Sequence, residues 1–195
     1  MKNLRLGILG STRGTDMLAL ISAIEQGRMS ASIGLVISDK NTALILERAR
    51  SHNIPAQFLN PAGLEREEYD YQLTEALVGH EVDLVVLIGF MRILSFPFVN
   101  YWRNKIINVH PSLLPEFAGG MNKQVHQAVL NAGKKVTGCT VHYVNEHVDN
   151  GPILVQKSCM VFPGDTVETL QARVQDLEGI ALIEAIDRIA TEFSF

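Results

Sequence analysis

The segment Asp83-Leu84-Val85-Val86-Leu87-Ile88 runs through an unbroken apolar stretch behind a single acid. A strand with one wet face alternates apolar and polar side chains. A run without alternation fits a parallel strand covered by helices on both faces. The neighbouring segments agree with that reading. Leu4-Arg5-Leu6-Gly7-Ile8-Leu9 has the same buried-strand character and runs into Gly10-Ser11-Thr12-Arg13-Gly14-Thr15-Asp16. Beyond it Met17, Leu18, Ile21 and Ile24 recur at helical spacing. Strands are predicted over 31–37 and near 57–59, with helices over 41–51 and 64–80. Such strand–helix alternation predicts an α/β fold, a doubly wound parallel sheet with helices on both faces.

The second half keeps the pattern more loosely. A strand over 105–109 should stop at His110-Pro111. A loop rich in Gly and Pro then leads to a helix near 124–131, with Gly133 as its C-cap. Strands follow over 136–144 and 153–161. The chain closes with a helix over 167–190, on which Leu170, Val174, Leu177 and Ala181 form a 3–4 stripe. No internal repeat or linker marks a second domain, so the expectation is one domain over 1–195.

Composition narrows the function classes. Of 195 residues, 47% are hydrophobic and 19% charged, with a formal net charge of −4, so a core is available and disorder is not indicated. No basic patch is evident, which argues against nucleic acid as a partner. The longest apolar run is far shorter than the roughly 20 residues of a membrane span. The amino-terminal stretch carrying Lys2 and Arg5 is too short for a signal sequence. The expected setting is therefore cytoplasmic. Cys139 and Cys159 make neither a disulfide framework nor a CxxC unit. The histidines lack ligand spacing, and His142 with His147 is a poor pair for one metal, so no metal is expected.

Three places could carry chemistry. Gly7, Gly10 and Gly14 do not fit GxGxxG, and the loop lacks the Lys of a P-loop. It remains a helix N-terminus with free N–H groups, which suits an anion. A tight turn capped by Thr15 or Asp16 explains the same residues. In Ile107-Asn108-Val109-His110-Pro111, Asn108 and His110 share one face at a strand's carboxyl end, where open α/β sheets bind ligands. An amide donor beside an imidazole suits acyl transfer. Satisfying strand-end backbone groups is the plainer alternative. Asp149, in Val148-Asp149-Asn150-Gly151-Pro152, reads either as an Asx-turn residue or as a carboxylate that folds back on His110, orients it and raises its pKa. There is no GxSxG elbow.

Asn108-Val109-His110-Pro111-Ser112-Leu113-Leu114-Pro115, Gly138-Cys139-Thr140-Val141-His142 and Val148-Asp149-Asn150-Gly151-Pro152-Ile153 together resemble the 10-formyltetrahydrofolate-dependent formyltransferase family. Arg66-Glu67-Glu68-Tyr69-Asp70, Gly89-Phe90-Met91-Arg92-Ile93-Leu94 and Arg173-Val174-Gln175 with Glu178 resemble its branch that formylates 5-phosphoribosylglycinamide in purine synthesis. The resemblance implies a Rossmann-like sheet that continues into a C-terminal folate-binding extension. It also implies a phosphate-binding half over about 1–100 and a catalytic, folate-binding half over about 101–195.

Residue by residue, the resemblance implies a catalytic trio of Asn108, His110 and Asp149. Gly14, Thr15 and Asp16 would hold the ribonucleotide phosphate, and Gln175 and Glu178 would contact the ribonucleotide. Arg66, Met91, Arg92, Ile93 and Leu94 would line the folate site with Asn108, Asn145, Glu146, His147, Val148 and Asp149. The co-substrate implied is 10-formyltetrahydrofolate, the partners are small molecules, and the protein is a monomer or homodimer. One departure stands out, since Thr12-Arg13-Gly14-Thr15-Asp16 replaces the family's usual Gly-x-Gly-Ser-Asn. An Asp beside a phosphate is unfavourable unless it caps the helix with its carboxylate turned away, and Arg13 would offset its charge.

The family's other branches fit less well. A tRNA formyltransferase is expected to carry an additional RNA-binding domain and a basic face. A formyltetrahydrofolate hydrolase is expected to carry an extra N-terminal regulatory domain. A non-catalytic nucleotide-binding module would explain the fold without the trio.

Overall fold

The computed structural model describes residues 3–121 and 123–192; Met1 and Lys2 of the amino-terminal stretch lie outside it. Among the described residues thirteen elements follow one another: β1 (Leu4–Leu9), α1 (Thr15–Glu25), β2 (Ala31–Ser38), α2 (Leu44–Ser51), β3 (Ala56–Phe58), α3 (Arg66–Gly79), β4 (Leu84–Leu87), α4 (Phe96–Tyr101), β5 (Ile106–His110), α5 (Lys123–Asn131), β6 (Val136–Tyr143), β7 (Ile153–Met160) and α6 (Val167–Glu192). One seven-stranded sheet has the order β3-β2-β1-β4-β5-β6-β7. Strands β1 to β5 pair in parallel, and β6 and β7 extend the sheet antiparallel.

The apolar run that anchored the reading is wet on neither side. Leu84, Val86 and Ile88 enter a core shared with Met17 and Leu20 of α1 and Leu182 and Ile186 of α6. Val85 and Leu87 face the opposite side, against Tyr69, Leu73 and Leu77 of α3 and Phe98 and Trp102. Each such fully buried side chain contributes about 1.5–3 kcal/mol relative to leaving it exposed. Helices on both faces therefore stabilise β4 at every position.

Three local expectations are corrected. α2 begins at Leu44 rather than 41, because 41–43 form a turn in which the Ala43 amide bonds the Lys40 carbonyl. β5 includes His110 and pairs it with Thr140 rather than stopping short of it. α4 was not foreseen, since six residues opening on Phe96-Pro97 show no helical period. It is held by tertiary contacts instead: the Ser95 amide donates to Asp70 Oδ2 of α3 (2.6 Å), and Phe98 and Trp102 are buried.

Candidate functional site

The loops leaving β1 and β4 at their carboxyl ends are tied together where the strand order reverses. The Ser11 amide donates to the Gly89 carbonyl (3.2 Å), and the Met91 amide donates to Ser11 Oγ (2.9 Å). Crevices at such switch points are where open α/β sheets bind ligands. The β1 loop turns into α1 at Gly14, which is left-handed (φ 67°) and caps the helix without any side-chain bond. A Cβ there would meet Ile45 at 2.4 Å, so both conformation and space require glycine. The expectation that Thr15 or Asp16 caps α1 is thus corrected. Thr15 is exposed, while Asp16 lies in the first turn and points inward, only 7% exposed. Arg13 is exposed and is not among the groups acting on that carboxyl.

At the end of β5 the structure brings Asn108, His110 and Asp149 together. His110 Nδ1 lies 3.2 Å from Asp149 Oδ2, with both side chains buried. Asp149 arrives from the loop between β6 and β7, which doubles back over the sheet. Two features permit this: Asp149 is left-handed (φ 52°), a conformation Asp tolerates better than most, and Gly151 passes against the Tyr143 carbonyl. A Cβ on Gly151 would sit 1.7 Å from that oxygen. The Gly119 amide also donates to Asp149 Oδ2 (2.8 Å).

His142 was passed over in the sequence because it makes no metal pair, yet it completes the cluster. Its Nδ1 bonds the Tyr143 carbonyl (2.9 Å). Its Nε2 then faces Asn108 Nδ2 at 3.2 Å and Asp149 Oδ1 at 3.6 Å. The available signal was register: residue 142 stands opposite Asn108 on the neighbouring strand.

His110 is caught between two influences. Its Nδ1 faces a carboxylate and its Nε2 faces the Phe117 carbonyl (3.1 Å), so both neighbours accept and the ring is best served by protons on both nitrogens. Burial opposes that charge and outweighs it, leaving the pKa below the ordinary histidine value despite the raising effects of Asp149 and Phe117. Asp149 raises the His110 pKa as expected, but desolvation of the ring, invisible in the sequence, outweighs it and sets the net direction. Burial pushes Asp149 up, but its bond to His142, the His110 charge and the Gly119 amide together bring it below the usual carboxylate range. His126 nearby is driven down to about 4 by burial and then by His110.

The loop after β5 is pinned by one buried hydroxyl. Thr140 Oγ1 donates to the Ser112 carbonyl (2.7 Å) and accepts from the Leu114 amide (3.0 Å) and Gln156 Nε2 (2.9 Å), so its capacity is filled. This holds the segment that presents the Phe117 carbonyl, itself on a residue at φ 58°, to His110.

The remaining expected residues fall in two clefts and two loops. Gln175 lines a cavity of about 340 Å³ with Thr15 and Asp16, in the groove between α1 and α6, and Glu178 is buried beneath it. Arg66 lines a second cleft of about 520 Å³ with Glu65, Glu67, Ser95 and Phe96. In the β4 loop, Leu94 packs into the core, Ile93 is 61% exposed and Arg92 stacks on the Tyr69 ring at 4.6 Å. In the β6–β7 loop, Glu146, His147 and Val148 are exposed, and Asn145 Oδ1 accepts from the His147 amide (2.9 Å). Among the described residues no group of three or more His, Cys, Asp or Glu is placed to hold a metal ion.

Comparison with known proteins places these features in company. The Formyl transferase family model matches residues 4–186. The trifunctional purine biosynthetic protein adenosine-3 of Drosophila pseudoobscura pseudoobscura is 44% identical over 190 residues, which are 96% of this chain and 14% of that protein. The chain spans only 14% to 19% of the length of the trifunctional relatives it matches. The phosphoribosylglycinamide formyltransferase of Bacillus subtilis (strain 168) is 37% identical over 175 residues, 89% of this chain and 88% of that protein. Among solved structures, glycinamide ribonucleotide transformylase 1 from Symbiobacterium toebii superposes with a TM-score of 0.93 at 40% identity, covering 97% of this chain and 89% of that one.

Proposed function

The chain belongs to the formyl transferase family, and on that premise we propose that it transfers the formyl group of 10-formyltetrahydrofolate to the amine of 5-phosphoribosylglycinamide, a step of purine biosynthesis. The observation that carries the proposal is the meeting of Asn108, His110 and Asp149 at the carboxyl end of β5. The acceptor amine attacks the formyl carbon, forming a C–N bond and a tetrahedral oxyanion. The Asn108 amide donates to that oxygen, and the protonated His110 ring, held at Nδ1 by Asp149, stabilises it as Nε2–H exchanges the Phe117 carbonyl for the oxyanion. Asp149 orients the ring and favours its charged form at the moment negative charge develops opposite it. The amine proton passes to the folate nitrogen, through a bridging water, as the C–N bond to folate breaks and the oxyanion collapses to the new formamide.

Binding roles follow the same premise. Gly14, Thr15 and Asp16 at the α1 amino terminus, with Gln175 and Glu178 of α6, receive the ribonucleotide. Arg66, Met91, Arg92, Ile93 and Leu94, with Asn145, Glu146, His147 and Val148, receive the folate. Exposed Ile93, Phe96 and Val148 suit a flat heterocycle, and Arg66 suits a carboxylate tail. We place the reaction in a single catalytic domain working in the reducing cytoplasm, in keeping with the free thiols Cys139 and Cys159. Among the described residues no helix is long and apolar enough to cross a membrane.

The test is incubation with 10-formyltetrahydrofolate, with and without 5-phosphoribosylglycinamide, following folate release. Turnover that depends on the ribonucleotide is the expected result. Equal turnover without it would identify a hydrolase instead, and no turnover in either case would reduce the protein to a binding module.

A further inference from the structure

The proposed ribonucleotide end contains a feature that phosphate binding does not call for. Asp16 and Glu178 are each 7% exposed, and their carboxyl groups hydrogen-bond one another. Two carboxylates only accept, so this bond exists only if a proton lies between them. The two helices bring them close together. Gly179 brings α6 so close to α1 that a Cβ on it would meet the Ala19 Cβ at 2.6 Å, and Asp16 and Glu178 stand beside that contact. Asp16 Oδ1 is buried with no hydrogen-bond partner, on a residue that lines the α1–α6 cavity. The eleven-residue α1 opens immediately above it, with its first-turn N–H groups uncapped by any side chain.

We propose that Asp16 and Glu178 hold one proton between them at neutral pH, and that the protonation of this acid pair sets how tightly the α1 amino terminus takes the phosphate of a phosphoribosyl ligand. The second half of the proposal rests on the functional reading above; the first half does not. Phosphate is favoured at a helix amino terminus, and a carboxylate in the first turn competes with it for the same positive potential. Each proton gained by the pair removes one competing charge.

The surroundings give the sign. Burial raises Asp16 to about 6, against a lowering from its bond to Glu178. Burial, then the Asp16 charge and hydrogen bond, raise Glu178 well above the ordinary value. From β6, the Cys139 thiol faces both carboxyls and is itself pushed up to about 12, so it stays neutral. Arg28 and Asp176 line the cavity around the pair. The unfolded chain gives up the Asp16 proton near 3.8 and the folded chain near 6. The stability contributed by the neutral pair is therefore complete below the unfolded value and is lost as pH rises through the folded one.

The experiment compares the wild-type protein with Asp16→Asn/Glu178→Gln and with Glu178→Gln alone, the latter being isosteric with the protonated acid. Chemical unfolding without ligand is followed from pH 4 to 8, and binding of ribose 5-phosphate is measured by calorimetry from pH 5.5 to 8. Relative to the double variant, the wild-type folding constant is expected to fall by more than about a hundredfold across the range, since the distance from 3.8 to about 6 accounts for that much and the raised Glu178 adds to it. Its ribose 5-phosphate affinity is expected to fall by about tenfold relative to the double variant, whose profile carries only the ligand's own titration. Glu178→Gln should be more stable than wild type at pH 7, because the wild-type chain must take up a proton on folding that the isosteric amide does not need. Parallel unfolding profiles, or no gain in stability at pH 7 from Glu178→Gln, overturn the shared proton. Divergent stability with superimposed affinity profiles overturns its link to phosphate. Both expected results without formyl transfer to 5-phosphoribosylglycinamide would instead count against the functional reading alone and leave the pair standing.

Discussion

Replacing Asp149 with Asn removes one charge from the centre of the site while keeping its shape. The amide oxygen still accepts from the Gly119 amide, so the loop that carries it stays seated. The carboxylate lies 3.2 Å from His110 Nδ1, a separation worth roughly 5 kcal/mol between unit charges at an effective dielectric of about 20. That figure is an upper limit, because the same carboxylate also serves His142 and the Gly119 amide. A quarter to a half of it, about 1.3–2.6 kcal/mol, corresponds to a fall of roughly one to two pH units in the His110 titration midpoint. Burial, the largest influence on the ring, would then act opposed only by the Phe117 carbonyl. The midpoint is read from histidine ring resonances in both proteins, with His110→Gln identifying the signal. The alkaline limb of the pH–rate profile for formyl transfer, which reports loss of the His110 proton, should move down by the same amount. An unchanged midpoint would refute the argument that Asp149 acts on His110 through its charge.

Two other substitutions test neighbouring links. His110→Ala should lower kcat by at least ~100-fold with an unchanged urea midpoint, and near-normal turnover would remove the ring from the chemistry. Thr140→Val keeps the volume but strands the Ser112 carbonyl and the Leu114 amide in a fully buried setting. It should cost about 2–3 kcal/mol in urea unfolding and lower kcat as the loop to Phe117 loosens, whereas a loss under ~0.5 kcal/mol would show that the hydroxyl is not the pin.

Much of the fold was legible because it rests on local periodicity. The apolar run through Val85 and Val86 announced a strand covered on both sides, and the alternation around it announced the doubly wound sheet. Gly133 was read correctly as the end of α5 and is left-handed at φ 60°. What escaped were features with non-local causes. α4 is short, and it is held by the Asp70 bond to the Ser95 amide and by aromatic burial rather than by its own pattern. His142 was weighed only as a metal ligand and set aside, because only strand register sets it opposite Asn108.

The site divides along the same line. Asn108 and His110 lie two residues apart on one strand, so backbone geometry alone puts them on a common face. Asp149 joins them only because Gly151 lets the β6–β7 loop double back against the Tyr143 carbonyl, a close approach between backbones that no spacing rule anticipates. The sequence by itself determined which chemical groups were available and which strand would carry two of them. Tertiary structure alone decided their ionisation, because desolvation depends on what the rest of the chain places around a group. It lowers His110 despite its carboxylate partner. It also turns Asp16, which by sequence was a helix cap or a liability beside a phosphate, into a buried acid hydrogen-bonded to Glu178.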